Sequence, residues 1–270
     1  MKSKNMSKIL MDNILYICLL LMIVIIAIIS PSFISVRVLS DVLTQSAPKM
    51  LLAVGMLVVI IAGGMDMTVG RLAGLGAVVS GTLAQQSTYY IKFWPSLPEM
   101  PLIVPIVASI IVGIISGVIT GLIISKLKVP AFLAGLGLQL IIYGGNLLFM
   151  KKAPNNSQPL AGFKESFTKF GTGSVAGVNY LIIVAFVVMI AVYIILNMTT
   201  LGKNIYATGG NREAAKVAGI NVFKIDMFVY ILSGALAALA GCMLAARTGS
   251  ANATYAEGYE MDAIASCIIG

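Results

Sequence analysis

The sequence predicts an all-α fold, a polytopic transmembrane helical bundle with some short or broken helices. Three observations predict it. Of 270 residues, 59% are hydrophobic and only 10% are charged, against about 25% charged in soluble domains. Mean hydropathy is +0.99. The apolar residues gather into runs, several of them near the ~20 residues a spanning helix requires. So few charges cannot cover a surface in water.

The elements follow in chain order. Residues 13–36 are uncharged but for the boundary and follow Lys2, Lys4 and Lys8. "AIISPSF" offers no small-x-small cleavage site, so this run reads as a first membrane helix rather than a removed signal peptide. The next runs are 50–64 and 72–84, both short and glycine-interrupted. Broken helices are tolerated at membrane depth only where protein or a water-lined cavity satisfies the freed backbone. Longer runs follow at 100–125, 130–150, 180–197 and 227–246. The wet connections are 85–99, 151–179, 198–226 and 248–260, and "KKAPNNSQPLAGF" has the composition of a loop. A further apolar stretch, "DAIASCIIG", begins near the end of the sequence and stops at Gly270 with no polar tail.

Orientation follows from the cations. Lys2, Lys4 and Lys8 favour an inside N-terminus. Alternation then places Lys126, Lys128 and the 198–226 segment, with Lys203, Arg212, Lys216 and Lys224, inside as well. Parity is the same whether 50–64 and 72–84 cross twice or form one re-entrant pair. Lys151, Lys152, Lys164 and Lys169 fall outside, against the trend. "GGMDMTVGRLAGLGAVV" and "GYEMDAIASCIIG" share Gly-x(-x)-Met-Asp before a small apolar run, a faint echo of the repeats from which transporters are built.

Several chemistries are excluded. Histidine is absent, which removes the commonest general base and the usual zinc ligand. Cys18, Cys242 and Cys267 lie in apolar runs without CxxC spacing, so neither a disulfide framework nor a metal site is expected. "LGKN" lacks the upstream glycine and the hydroxyl of a phosphate loop, so the chain is not expected to be an enzyme that hydrolyses ATP. The net charge of +8 is spread over short connections and fits membrane orientation better than nucleic-acid binding.

One hydrophilic insert stands out, "GGNREAAKVAGI" at 209–220. Asn211 is a good N-cap, Glu213 lies in the first turn where the dipole favours an anion, and Ala214 and Ala215 are strong helix formers. Gly219 fits the left-handed residue that stops a helix. This makes about two turns, too short to be stable alone in water, so it should need a docking surface. It is either an amphipathic linker lying on headgroups or a coupling helix that slots into a cytosolic partner.

"EAAKVAG", Glu213–Gly219, resembles the Glu-Ala-Ala-x-x-x-Gly core of the loop by which ATP-binding-cassette importer permeases contact their ATPases, without the Ile-x-Leu-Pro ending many such loops carry. "LGKNIYATGGNREAAKVAGI", "YILSGALAALAGCMLAARTGSA" and "GGMDMTVGRLAGLGAVV" are similar to the ribose/xylose/galactose branch. "VLTQSAPKMLLAVG", "PEMP" and "GLIISKLKVPAFLAGLGLQLIIYGGN" look closest to its galactose/methyl-galactoside permeases. The resemblance runs from about Leu39 to Gly270. It implies one transmembrane permease domain over 1–270, with about seven spans plus the start of another, and a cytoplasmic coupling loop at 199–226. It implies a bacterial inner-membrane protein that moves a monosaccharide into the cytoplasm. Its implied partners are cytosolic ATPases that bind ATP and Mg, a second permease copy forming a homodimer, and an extracytoplasmic sugar-binding protein, within the lipid bilayer. ATPase coupling would fall on Gly209, Gly210, Asn211, Glu213, Ala214, Ala215 and Gly219. The family continues through further helices beyond Gly270, so the chain reads as a fragment lacking the family's last helices and is not expected to transport alone.

Polar residues within apolar runs are the default candidates for a substrate path: Gln45, Asp66, Thr68, Gln139 and Asn146. Asp66 and Thr68 equally suit a helix N-cap for the segment starting near Val69. Gln139 and Asn146 equally suit interhelical hydrogen bonds. Arg71 pairs with Asp66 or snorkels to the inner surface. Tyr143 either stacks on a sugar face or packs. "GIISGVITG" and "SGALAALAG" place small residues four apart, which suits close helix packing in lipid. The competing function is an ion-coupled secondary transporter of a small polar solute. It is disfavoured because the long runs carry no ionisable group at mid-membrane.

Overall fold

The computed structural model describes Met11 and residues 13–269. Lys2, Lys4, Lys8 and Gly270, on which part of the orientation argument and the end of the last run rested, lie outside the described residues. Two units divide the chain, Met1–Leu43 and Thr44–Gly270.

In the first unit, α1 (Ile14–Ile29) closes at Ser30, whose backbone amide donates to the Ile26 carbonyl. A 3-10 turn, Pro31–Phe33, follows. The run expected over 13–36 thus stops seven residues early. Pro31 has no amide to continue the ladder and pushes Ser30 out of the α region.

The second run is longer than 50–64. It is the C-terminal half of α2 (Val36–Ile61). Arg37, Asp41, Lys49 and Pro48 depress hydropathy along its first half and hid that half from an apolar count. The helix breaks at Ala62, and Gly63, at φ 81°, turns the chain before α3 (Val69–Ala84). Next come α4 (Ile103–Ser125), α5 (Ala131–Met150) and α7 (Tyr180–Met198). α8 (Thr200–Gly210), α9 (Arg212–Val217), α10 (Val222–Thr248) and α11 (Tyr259–Ile269) complete the chain. Five helices among the described residues, α2, α4, α5, α7 and α10, are long and apolar enough to cross a membrane, with shorter apolar helices at Tyr16–Ile29 and Val69–Ala84. The helical, multi-span architecture expected from composition is the one observed.

The centre of the second unit is α10. It is buried along most of its length because it carries glycine, serine and alanine where neighbours cross. The two small-residue rows pair with each other. A Cβ added at Gly113 would overlap the Gly234 carbonyl, one at Gly117 the Tyr230 carbonyl, and one at Gly121 would reach Met227 Sδ at 3.0 Å. α4 therefore lies antiparallel on α10 at backbone contact, and Ser109 Oγ donates to the Ala238 carbonyl at 2.7 Å across the crossing. α3 packs on α10 beside α4, the two helices meeting over Ala238. A Cβ at Gly241 would overlap the Ala73 carbonyl, and one at Gly76 would sit 2.7 Å from Ala238 Cα. Without a hydrophobic drive between helices in lipid, such close van der Waals approach supplies the association.

The 248–260 stretch is not a surface connection. After Gly249, in the left-handed conformation at φ 67°, the chain runs in irregular form down the side of α3. Ala251, Ala253 and Ala256 are buried. Along this path a Cβ at Gly81 would lie 3.2 Å from Ala251 Cβ, one at Gly74 2.8 Å from the Tyr255 carbonyl, and one at Gly70 2.8 Å from the Ala256 carbonyl. Small residues on both sides let backbone lie against helix, and neighbouring protein covers the irregular segment as membrane depth demands. α11 then follows α2 in parallel: Lys49 meets Asp262, and Cys267 Sγ donates to the Ala53 carbonyl at 3.3 Å.

The 151–179 connection also holds more structure than its composition suggests. It contains α6 (Glu165–Thr172) and an antiparallel pair, β1 (Ser174–Val175) with β2 (Val178–Asn179). Phe163 and Phe167 are buried, and a Cβ at Gly171 would overlap the Ala246 backbone. Two of the four lysines that ran against the orientation trend are neutralised locally: Lys164 with Glu99 at 3.4 Å and Lys169 with Glu165 at 2.7 Å. Lys152 lies over the Trp94 ring.

The connections segregate to two ends, as alternation requires. Gln85 bridges Phe163, and Leu160 bridges Ala251, at one end. The 62–64 break, the turn after α4 and the α8–α9 segment meet at the other.

Candidate functional site

The end that carries α9 is built from the residues upward as follows. Thr199 caps α8, its side chain accepting from the Gly202 amide at 3.2 Å. α8 lies inside the 198–226 connection expected from sequence, where its Gly, Asn and Thr content masks an amphipathic helix that buries Ile205 and Thr208. α8 abuts the end of α2, and Gly209 is the contact: a Cβ there would overlap the Ile61 carbonyl. Gly210 has nothing within 4 Å of such a Cβ. The double glycine therefore does one structural job, at its first position.

Asn211 ends α8 and starts α9. Its Oδ1 accepts from the Glu213 and Ala214 amides, both at 3.0 Å. At the other end Gly219, φ 82°, takes the left-handed position. Its amide donates to the Lys216 carbonyl and that of Ile220 to the Ala215 carbonyl, each at 3.0 Å, a Schellman closure. Within this six-residue helix Ala215 is buried and Ala214 is exposed. Val217 is 92% exposed, an apolar knob on the outside of the element.

Arg212 holds α9 to the bundle. Its guanidinium forms a two-pronged pair with the Asp226 carboxylate, with Nη1 3.2 Å from Oδ2 and Nη2 on Oδ1. The Asp226 side chain is 3% exposed. Lys216 pairs with Glu213 at 2.7 Å. That contact, reinforced by their attraction and by Lys128 nearby, holds the Glu213 carboxyl below the usual carboxylate range. A cavity of about 550 Å³ opens between α9 and the α4–α5 turn, walled by Gly64, Lys128, Arg212, Glu213, Asp226 and Tyr230 among others.

The five path candidates are scattered. Asp66 is fully buried and fully used: Oδ1 accepts from the Thr68 amide at 3.0 Å and from Thr68 Oγ1 at 2.6 Å, and Oδ2 accepts from Ser233 Oγ at 2.8 Å. The pair ties the 62–68 break to α10. Thr68 is the N-cap residue of α3, but its side chain makes no cap bond; the Asp66 carboxylate, two residues earlier, accepts from the Thr68 amide. Asn146 is 1% exposed on α5 with neither amide atom hydrogen-bonded. Gln139 is half-buried on the same helix, and Gln45 is exposed on α2.

Two corrections concern charge at membrane depth. Arg71 neither reaches Asp66 nor snorkels. It pairs with Glu257 at 2.7 Å and lies 4.0 Å over the Tyr143 ring, so one face of Tyr143 is already covered. Glu257 is brought there by the chain folded along α3, 186 residues away in sequence. The long spans do carry an ionisable group near the middle: Lys49, halfway along α2. The absence of such groups is therefore no argument against ion coupling. No group of three or more metal-ligating side chains occurs among the described residues.

Fold and site together define a polytopic helical protein, apolar enough to span a membrane, with a short, capped, charged helix at one end. Residues 38–270 match the family described as branched-chain amino acid transport system / permease component, and the chain belongs to that family. It is similar to the galactose/methyl galactoside import permease protein MglC of Escherichia coli, 37% identical over 95% of this chain and 77% of the relative. MglC of Salmonella typhimurium is 36% identical with the same coverage. The ribose import permease protein RbsC of Escherichia coli is 36% identical over 97% of this chain and 77% of the relative. No solved structure matches.

Proposed function

We propose that this chain is the membrane permease subunit of an ATP-driven bacterial importer, resident in the cytoplasmic membrane, that passes a monosaccharide of the galactose/methyl-galactoside kind inward. The observation that carries this reading is the rigid α9 lever, capped at both ends by Asn211 and Gly219 and pinned by Arg212 to Asp226. A helix of six residues has no stability of its own, so this degree of fixing suits an element that must transmit force. Family membership and the names of the relatives support import and a sugar cargo.

On this reading a separate cytosolic ATPase supplies ATP and Mg, a second copy of the chain completes the permease, and an extracytoplasmic binding protein delivers the sugar. Glu213, Ala214 and Val217 face outward as the contact surface. Gly209, Asn211, Ala215 and Gly219 shape the lever, and Gly210 flanks it. Nucleotide-driven closure of the ATPases pushes α9, and Arg212–Asp226 passes the displacement to α10. This is coupling between distant sites through a two-state element.

The test is uptake in vesicles holding the chain with its ATPase and binding protein, with proton and sodium gradients collapsed. ATP-dependent uptake is expected. Uptake driven by an ion gradient without the ATPase would establish the secondary transporter instead.

A further inference from the structure

Lys49 and Asp262 form an ion pair where lipid would be expected. The Nζ–Oδ2 distance is 2.6 Å, and the side chains are 44% and 50% exposed. The ammonium also lies 4.5 Å from the centre of the Tyr259 ring. Lys49 stands twelve residues before the end of α2 at Ile61, about 18 Å along the helix axis at ~1.5 Å per residue. It also stands thirteen residues after Val36, so the ammonium lies halfway along a 26-residue span, far from both helix ends.

The pair does not stand alone. Gln45 is exposed one turn before Lys49 on α2, and Ser266 is exposed one turn after Asp262 on α11. The spacing of four puts each pair on one helical face. The parallel run of α2 and α11, fixed by the 49–262 and 53–267 contacts, sets the two faces side by side. A charged side chain facing lipid at the bilayer centre is costly and is found facing protein or water instead. Four adjacent polar groups left open there require water or another polar surface.

We propose that the Gln45–Lys49 face of α2 and the Asp262–Ser266 face of α11 form the water-lined wall of the translocation path, chemically suited to a polyhydroxylated neutral solute. The inference rests on the import reading above and assigns it a surface. A sugar hydroxyl is donor and acceptor at once. Lys49 only donates, Asp262 only accepts, Gln45 does both, and Ser266, whose hydroxyl donates to the Asp262 backbone carbonyl at 2.7 Å, keeps its oxygen as an acceptor. The wall carries no net charge, so it offers hydrogen bonds without trapping an ion. Asp66 and Thr68 cannot serve in this way, because both are buried and both Asp66 oxygens already accept hydrogen bonds, whereas the exposed Lys49–Asp262 pair uses only one ammonium proton and Oδ2, leaving two further ammonium donors and Oδ1.

The experiment replaces Cys18, Cys242 and Cys267 by alanine in the full chain, then introduces Gln45→Cys, Ser266→Cys or, as a control on the apolar outer face of α5, Leu140→Cys. Leu140 is 69% exposed and has no polar neighbour on its face. Each variant is reconstituted in vesicles and exposed on both sides to a charged thiosulfonate that does not enter lipid. Labelling at positions 45 and 266 at least tenfold faster than at 140, slowed by millimolar galactose or ribose, is the expected result. Labelling no faster than at 140 would overturn the water-lined wall while leaving ATP-dependent uptake, measured separately, intact. Fast labelling unaffected by either sugar would overturn the polyhydroxyl assignment.

Discussion

Arg212→Ala removes the tie between α9 and α10, and its cost can be worked from the geometry. Two hydrogen bonds to a carboxylate are lost. The carboxylate left behind is 3% exposed, while the guanidinium was 43% exposed. Removing one partner of a fully buried pair costs about 3–5 kcal/mol. Here the Arg212 side approaches water through the adjoining cavity, and solvent admitted by the truncation rehydrates part of the charge, so about 1–3 kcal/mol is expected after that discount. Asp226→Ala alone leaves an exposed arginine and should cost less. The double variant should recover part of the Arg212→Ala loss, giving a coupling energy of about 1–2 kcal/mol in a double-mutant cycle. The assay is reversible unfolding in mixed detergent, read by helical signal, together with hydrogen exchange of the 212–217 amides. Additive effects within ~0.5 kcal/mol, or unchanged exchange in α9, would refute the claim that this pair holds the lever to the bundle.

Gly117→Leu should be damaging in the α4–α10 crossing, because the added side chain meets the Tyr230 carbonyl and Ile231 Cα rather than a movable side chain. Overpacking of about 1–3 kcal/mol or more should appear as a lowered midpoint in thermal aggregation, whereas Gly137→Leu, open on α5, should be neutral. The outer connection should show acid sensitivity. The Ser87 amide and hydroxyl, and then Lys164, hold the Glu99 carboxyl below its usual range. A depressed folded value contributes stability that is complete above the unfolded value near ~4.3 and fades as pH falls through the folded one. Limited proteolysis at 85–99 should therefore quicken below about pH 4, and Glu99→Gln should flatten that dependence. A wild-type chain with no acid-side change would contradict it.

How much of this was legible in sequence depends on range. The α9 lever could be read because its signals are local: an Asn, an acid in the first turn and a Gly six residues beyond that acid. The two small-residue rows could be read as packing faces, and the structure pairs them with each other. Where distant segments meet, reading failed. Nothing near Arg71 pointed to Glu257, and nothing near Lys49 pointed to Asp262, 213 residues on. The polar 249–258 stretch looked like a surface connection because its alanines count as small rather than apolar. Only the glycines of α3 opposite them reveal that they are buried. For Asp66, composition suggested a path residue as readily as a cap, and three hydrogen bonds were needed to see that its oxygens are occupied.

The account turns on which face of the membrane carries α9. In a chain whose own cysteines are replaced by alanine, Ala214→Cys, exposed on the lever, should react with an impermeant maleimide only when inside-out vesicles are treated, and bound ATPase should block the reaction. Reaction from outside intact cells would put the lever on the wrong side and contradict the account.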